Sequence, residues 1–203
     1  MLWMKRPLDL LLAGVGLLGS LPLWLFVGIA IRMGDGGPVF YGQQRIGLRG
    51  RRFQSWKFRS MVADSDDRFG PLQASEGDRR VTRVGKYLRA TAMDELPQLW
   101  NIFVGDMSFV GPRALMPEEI EVDGTGESVP IEAIPGYVER HVVRPGLTGV
   151  AQVYAPKDFP RAQKFKLDIL YIEKQSVWLD VKLIALSFWI TFLGKWEYRG
   201  KKF

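Results

Sequence analysis

Residues Thr91–Arg113 read TAMDELPQLWNIFVGDMSFVGPR, and the rest of the chain is best read outward from them. Leu96, Leu99, Trp100 and Phe103 keep the i, i+3, i+4, i+7 spacing of one buried helix face. Pro97 is tolerated only in a first turn, where its missing N–H has no intrahelical partner to lose. The spacing therefore predicts a helix starting near Asp94. The adjacent acids Asp94 and Glu95 would then sit where unpaired N–H groups and the helix dipole favour negative charge, a substrate phosphate included. Plain N-capping by Asp94 fits the same placement. The stretch closes on a Gly111-Pro112-Arg113 turn.

Upstream, Leu10–Ile31 is a run of 22 residues without a formal charge. As straight helix it would reach about 33 Å, enough for a hydrocarbon core of ~30 Å. Pro22 stands near its middle, removes one backbone donor and clashes with the Leu18 carbonyl, so a bend is expected there. Ser20 is close enough to help satisfy a freed carbonyl. Both flanks are basic, with Lys5 and Arg6 before the run and Arg32, Arg45, Arg49, Arg51 and Arg52 after it. The positive-inside rule would place both flanks in the cytoplasm. A re-entrant hairpin meets that demand; a Pro-kinked transmembrane helix is the other reading.

The 203 residues suffice for one domain plus an anchor, and Lys and Arg exceed the acids to give a formal charge of +6. That surplus fits phospholipid, nucleotide or nucleic acid. Arg32 to Ser60 carries seven basic residues and one acid, Asp35, whereas Glu118 to Glu139 carries seven acids and no Lys or Arg. Such a layout suits a protein lying on an anionic leaflet. No nucleic-acid recognition motif is visible, and the apolar run accounts better for the charge. Cysteine is absent and His141 is the only histidine, which excludes disulfides, thiolate catalysis and His-cluster metal sites. Catalysis is left to carboxylates.

Elsewhere, Gly34–Pro38 reads as a loop, Val39–Phe58 as short strands and turns, and Ala63–Arg80 as a polar loop. Val84–Ala90 reads as a short helix carrying Arg89, and Glu118–Pro135, with Gly124, Gly126, Pro130 and Pro135, as an exposed loop. Val143–Val153 has turn residues between apolar ones, and Ala162–Lys174 is helical. Val177, Val181, Ile184, Phe188 and Phe192 share a helix face. Leu183–Leu193 is too short to span. Trp178, Trp189 and Trp196, with Lys195, Arg199, Lys201 and Lys202, fit a helix lying in the membrane interface; a core helix is the alternative.

With these residues in view, the chain resembles the bacterial sugar transferase family, the monotopic phosphoglycosyl transferases. Four segments carry the resemblance in order: MKRPLDLLLA, QQRIGLRGRRFQSWKFRSM, MDELPQLWNIFVGDMSFVGPR and VRPGLTGVAQV. It departs from the family's usual pattern in reading Gly-Pro-Arg-Ala at Gly111–Ala114, Val150 within the VRPGLTGVAQV segment, and Leu21 between Ser20 and Pro22. The resemblance implies transfer of a phospho-sugar from a UDP-sugar to polyprenyl (undecaprenyl) phosphate, with release of UMP. It implies a covalent aspartyl phospho-sugar intermediate, a Mg²⁺ ion, and residence on the cytoplasmic face of the bacterial inner membrane. By the same token Asp94 is the expected nucleophile and Glu95 its partner, with either or both on the metal. Lys57, Arg59, Arg89, Arg113 and Arg144 are expected to hold phosphates, and Ser20 and Pro22 to form the bend of a re-entrant helix.

The expected fold is α-rich α/β: a re-entrant membrane element over 1–33 and a cytosolic domain over 34–203 with an interfacial helix at 177–194. It resembles the form without large N-terminal domains. A hydrolase of nucleotide sugars or lipid diphosphates, and a non-enzymatic phosphate-binding scaffold, are the rival readings. The sugar, the pathway and the oligomeric state, a homodimer included, stay open.

Overall fold

The structure is a computed structural model, and it describes residues 4–63, 65, 78–122, 128–156 and 159–192. Most of the polar stretch 63–80, Gly124 and Gly126, and the expectations for Leu193, Lys195, Trp196, Arg199, Lys201 and Lys202 lie outside the described residues.

Helix α1 (Lys5–Asp35) runs as one continuous element through Pro22 and ends on Gly36 in the left-handed conformation. It is the one described helix long and apolar enough to cross a membrane, with a mean hydropathy of 2.2 over an 18-residue window. The Ser20 hydroxyl donates to the Gly16 carbonyl at 2.6 Å, and not to the Leu18 carbonyl that Pro22 leaves without a donor. One face of α1 packs on the rest of the molecule: Asp9, Ala13, Val27 and Ile31 are buried. The opposite face presents Leu11, Val15, Leu18, Leu25, Phe26, Ile29 and Met33 outward.

Both ends of α1 are fastened to the same body. Lys5 Nζ donates to the Val110 carbonyl at 2.9 Å, the Tyr171 hydroxyl at 3.0 Å and Asp180 Oδ2 at 2.6 Å. Asp9 Oδ1 accepts from the Phe109 amide at 3.0 Å and the Ser108 hydroxyl at 3.1 Å. At the far end Asp35 pairs with the Arg59 guanidinium.

Strands β1 (Phe40–Ile46) and β2 (Arg52–Phe58) form the antiparallel hairpin expected of this Gly- and Arg-rich segment. Helix α2 (Arg83–Ala90) is N-capped by the Thr82 hydroxyl, which accepts from Gly85 N at 2.9 Å. Helix α3 (Gln98–Val104) then leads into β3 (Ser108–Val110), which pairs in parallel with β6 (Gly146–Thr148). The core gathers Ala13, Leu99, Ile102, Met107, Val110, Tyr171 and Leu183 from these elements, so α1 contributes to it directly.

The 118–135 segment differs from the exposed loop read from its glycines and prolines. It holds an antiparallel hairpin, β4 (Ile120–Val122) with β5 (Ser128–Pro130). Ile131 and Ile134 behind it are buried with Leu115 and Phe165, which gives this hairpin a small core of its own. Helix α4 (Tyr137–Arg140), α5 (Val150–Tyr154), α6 (Arg161–Lys174) and α7 (Val177–Phe192) complete the described chain.

The face of α7 predicted from Val177, Val181, Ile184 and Phe188 is split. Leu183, Asp180 and Ser187 are buried, while Val181 and Phe188 are exposed together with Trp178 and Trp189. One side of α7 is therefore a core side and the other a solvent-facing apolar side.

Candidate active site

Asp94 and Glu95 are not at the start of a helix. They occupy a separate 3₁₀ turn, Met93–Glu95, and α3 begins only at Gln98 after Pro97. The reason is local. Leu96 N bonds to Met93 O, Leu99 N to Leu96 O and Trp100 N to Pro97 O, so the chain coils with three-residue closures until Pro97 is passed. Neither acid caps α3. The turn is entered through Ala92 at φ 54°, a left-handed conformation that costs a non-glycine residue about 1–2 kcal/mol. Strain of this kind is characteristic of functional turns.

The predicted buried face of α3 is also displaced. Leu99 is buried, but Trp100 and Phe103 are exposed and stack on each other at 6.0 Å. The inward residues are Gln98, Leu99, Asn101 and Ile102. Asn101 ties α3 to β2: its Oδ1 accepts from Trp56 N at 3.0 Å and its Nδ2 donates to the Gln54 carbonyl at 2.7 Å. It thus mimics a neighbouring strand and fixes β2 against the acidic turn.

That registration brings Lys57 to Glu95. Lys57 Nζ donates to Glu95 Oε1 at 2.5 Å, with both side chains about a quarter exposed. Around them lies a small, open cleft whose walls include Arg45, Lys57, Glu95, Gln98, Arg113 and Leu147. Burial would push the Glu95 carboxyl up, but Lys57 and Arg113 hold it down at about 2, so it stays ionised. Asp94 goes the other way. Burial, with the Glu95 charge beside it, pushes its carboxyl up to about 6 against the pull of Lys57 and Arg89. Two adjacent acids thus carry well separated proton affinities. Among the described residues no side chain pairs with the Asp94 carboxylate.

The cleft's far wall is set by glycines. A Cβ on Gly111 would lie 2.4 Å from the Arg144 carbonyl, and one on Gly146 would lie 2.0 Å from Gly111 N. The chain therefore needs bare backbone at both positions for β3 and β6 to meet, and Arg113 follows directly from that junction. Arg140, buried with Asp168 at 2.9 Å, donates to the Arg113 carbonyl at 2.7 Å and holds this loop from behind.

Of the residues singled out in the sequence, Glu95, Lys57 and Arg113 line this cleft; Asp94 adjoins it through the turn, where the charges of Lys57 and Arg89 act on it. Arg59 and Arg144 do not line the cleft. Arg59 is buried against Asp35 at the end of α1, and Arg144 Nε donates to the Gly105 carbonyl at 2.8 Å. Arg45, read from the sequence as a membrane-flanking charge, stands in the cleft wall instead. The available signal was β-strand alternation, since Gln43 and Arg45 share one face of β1.

A profile described as "Bacterial sugar transferase" matches residues 1–194. The chain belongs to the bacterial sugar transferase family. Over 96% of its length it is 38% identical to the UDP-glucose:undecaprenyl-phosphate glucose-1-phosphate transferase of Klebsiella pneumoniae, covering 41% of that protein. It is 40% identical, over 90% of its length and 42% of the relative, to a UDP-N-acetylgalactosamine-undecaprenyl-phosphate N-acetylgalactosaminephosphotransferase of Aeromonas hydrophila. It is 37% identical to the exopolysaccharide production protein PSS of Rhizobium leguminosarum bv. phaseoli, over 89% of this chain and 91% of that one. The chain spans about two fifths of the length of relatives such as the Klebsiella protein.

Proposed function

We propose that this chain transfers a phospho-sugar from a UDP-sugar to polyprenyl (undecaprenyl) phosphate in two displacements at Asp94. An Asp94 carboxylate oxygen attacks the β-phosphorus of the donor. The bond from that phosphorus to the bridging oxygen breaks, and UMP leaves with the oxygen. A phosphate oxygen of the polyprenyl phosphate then attacks the same phosphorus, the bond to Asp94 breaks, and the polyprenyl diphosphate sugar departs with the Asp94 carboxylate restored. Splitting one transfer into two is what a covalent nucleophile contributes.

The observation that carries this reading is the pairing at the dyad. Lys57 neutralises Glu95 in the cleft wall, while the adjacent Asp94 carboxylate, among the described residues, has no side-chain partner and feels the charges of Lys57 and Arg89. An anionic nucleophile approaching an anionic phosphate needs that cationic setting. Oxygen donors suit Mg²⁺, which takes one or two carboxylates together with substrate oxygens. Asp94 and Glu95 Oε2 are the groups that would hold it, since Glu95 Oε1 is engaged by Lys57. When bound, the ion supplies neutralisation of charge on the transferring phosphate.

The proposal places α1 in the cytoplasmic membrane as a re-entrant element with the cleft on the cytoplasmic side. Its support is that Lys5 and Asp35, at opposite ends of α1, both bond to the same domain, while the outward face between them is apolar. A helix held at both ends by one body leaves both ends on one side. Keeping enzyme and lipid acceptor in one leaflet keeps the reacting groups close.

The test is UMP release from a panel of UDP-sugars by protein in nanodiscs with Mg²⁺, with and without undecaprenyl phosphate. Sustained release that depends on the lipid, and radiolabel from a β-phosphate retained on wild-type protein but not on Asp94→Asn, is the expected result. Release of free sugar phosphate without lipid would instead make the chain a hydrolase.

A further inference from the structure

Three cations of the cleft, Arg45, Lys57 and Arg113, face one carboxylate, Glu95. Lys57 and Glu95 neutralise each other. Two guanidinium groups remain, and Arg45 is the more enclosed of them.

Arg45 is oriented entirely by neutral groups. Its Nη1 donates to the Ala114 carbonyl at 3.0 Å and its Nη2 to Gln43 Oε1 at 2.5 Å. Gln43 is held in turn, its amide donating to Met116 Sδ at 3.1 Å. Among the described residues no carboxylate forms an ion pair with Arg45, and Glu119, whose charge reaches it, is bound by Arg161. Burial, and then repulsion from Arg113, draw its pKa down to about 10, which leaves it ionised at neutral pH. A structural arginine in such a place is ordinarily paired with an acid, as Arg140 is with Asp168. A half-buried arginine fixed without an acid, beside a second, exposed one that forms no ion pair among the described residues, is an arrangement that a doubly charged anion would stabilise.

We propose that Arg45 binds the diphosphate of the donor and, with Arg113 on the same cleft, holds it against the Asp94–Glu95 turn. The inference rests on the nucleotide-sugar reading above. Two unpaired guanidinium groups match two ionised phosphates, and the Arg45 donors not spent on Ala114 and Gln43 are free for phosphate oxygens.

The experiment is calorimetric binding of UDP and of UMP to the full chain in nanodiscs. It compares wild type with Arg45→Gln, Arg45→Lys and, as a control, Arg51→Gln, an exposed arginine outside the cleft. Losing charge-assisted hydrogen bonds in Arg45→Gln is expected to weaken UDP about tenfold or more, and UMP less, so the preference for UDP shrinks. Arg51→Gln is expected to shift both by less than about twofold.

If wild type binds UDP and Arg45→Gln binds it equally well, the assignment of Arg45 is overturned while the donor reading stands. Equal losses for UDP and UMP overturn it as well. If wild type binds no UDP, the donor reading fails and takes this inference with it. Should Arg45→Gln not fold, Arg45→Lys decides, because it keeps the charge and loses the planar fork. An unchanged UDP-to-UMP preference in that variant overturns the proposal.

Discussion

Two ion pairs in this molecule look alike in distance and differ in what surrounds them. Arg140–Asp168 closes at 2.9 Å with both side chains under 5% exposed. Arg140 also lies 4.6 Å over the Phe165 ring and donates to the Arg113 carbonyl. Lys57–Glu95 closes at 2.5 Å but stays open to the cleft, next to an unpaired Asp94 and two arginines without acid partners. In the first, charges are balanced and saturated, so it holds the fold. In the second, charges are left over, so it can act on something else. The same bond geometry thus serves structure or chemistry according to the accounting of its neighbours.

The largest way to sharpen that contrast is Asp94→Asn. It is expected to lower turnover roughly 10³-fold or more, as removal of a covalent nucleophile does, with thermal stability unchanged or raised because a desolvated carboxyl is replaced by a neutral amide. UMP release and a melting curve read both. Arg140→Met should behave in the opposite sense. Leaving Asp168 buried without its cation is expected to cost about 3–5 kcal/mol, and the double change Arg140→Met with Asp168→Leu should recover much of it. Denaturant unfolding in detergent measures this. Equal stability of the single and double variants would remove the structural role assigned to the pair.

Lys57→Met should spare stability, because its pair is partly exposed. It should lower the rate about a hundredfold and move the Glu95 carboxyl upward. On the reading proposed above, the wild-type rate should fall as pH drops through about 6, where the raised Asp94 carboxyl takes up its proton. Glu95, held at about 2, should add no second step in the accessible range. A rate independent of pH between 5 and 8 would contradict the assignment. Smallest of all, Ala92→Gly relieves the left-handed strain yet loosens the turn, so stability should change by no more than about 1 kcal/mol.

How much of this was legible depended on which force set each element. Hydrophobic spacing and turn residues announced α1, the β1–β2 hairpin, α2 and α6. The ordered motifs singled out Asp94, Glu95 and Lys57, but Lys57 as a holder of phosphate and not as the partner of Glu95 that the structure shows. The start of α3 was misplaced because Pro97 permits either a first helical turn or a preceding 3₁₀ turn, and the spacing of apolar residues does not report the three-residue closures that the backbone makes there. Trp100 and Phe103 were read as core because periodicity reports an apolar environment without saying whether it is protein or lipid. Their exposure beside the outward face of α1 fits the second. Arg45 was obscured because one good explanation, a charge flanking an apolar run, already accounted for it. Arg59 and Arg144 show the converse: a motif position does not state which oxygen an arginine will meet.

The Lys5–Asp180 bond joins residues 175 positions apart. At a synthesis rate of roughly 5–20 residues per second, its first partner exists for about 10–35 s before its second emerges. On the reading proposed here, α1 spends that interval in the lipid with Lys5 and Asp9 still without their protein partners. The domain must then close onto a helix that is already inserted. Assembly therefore ends at the membrane, and a cell that delayed insertion of α1 would be left with a domain whose core lacks one wall.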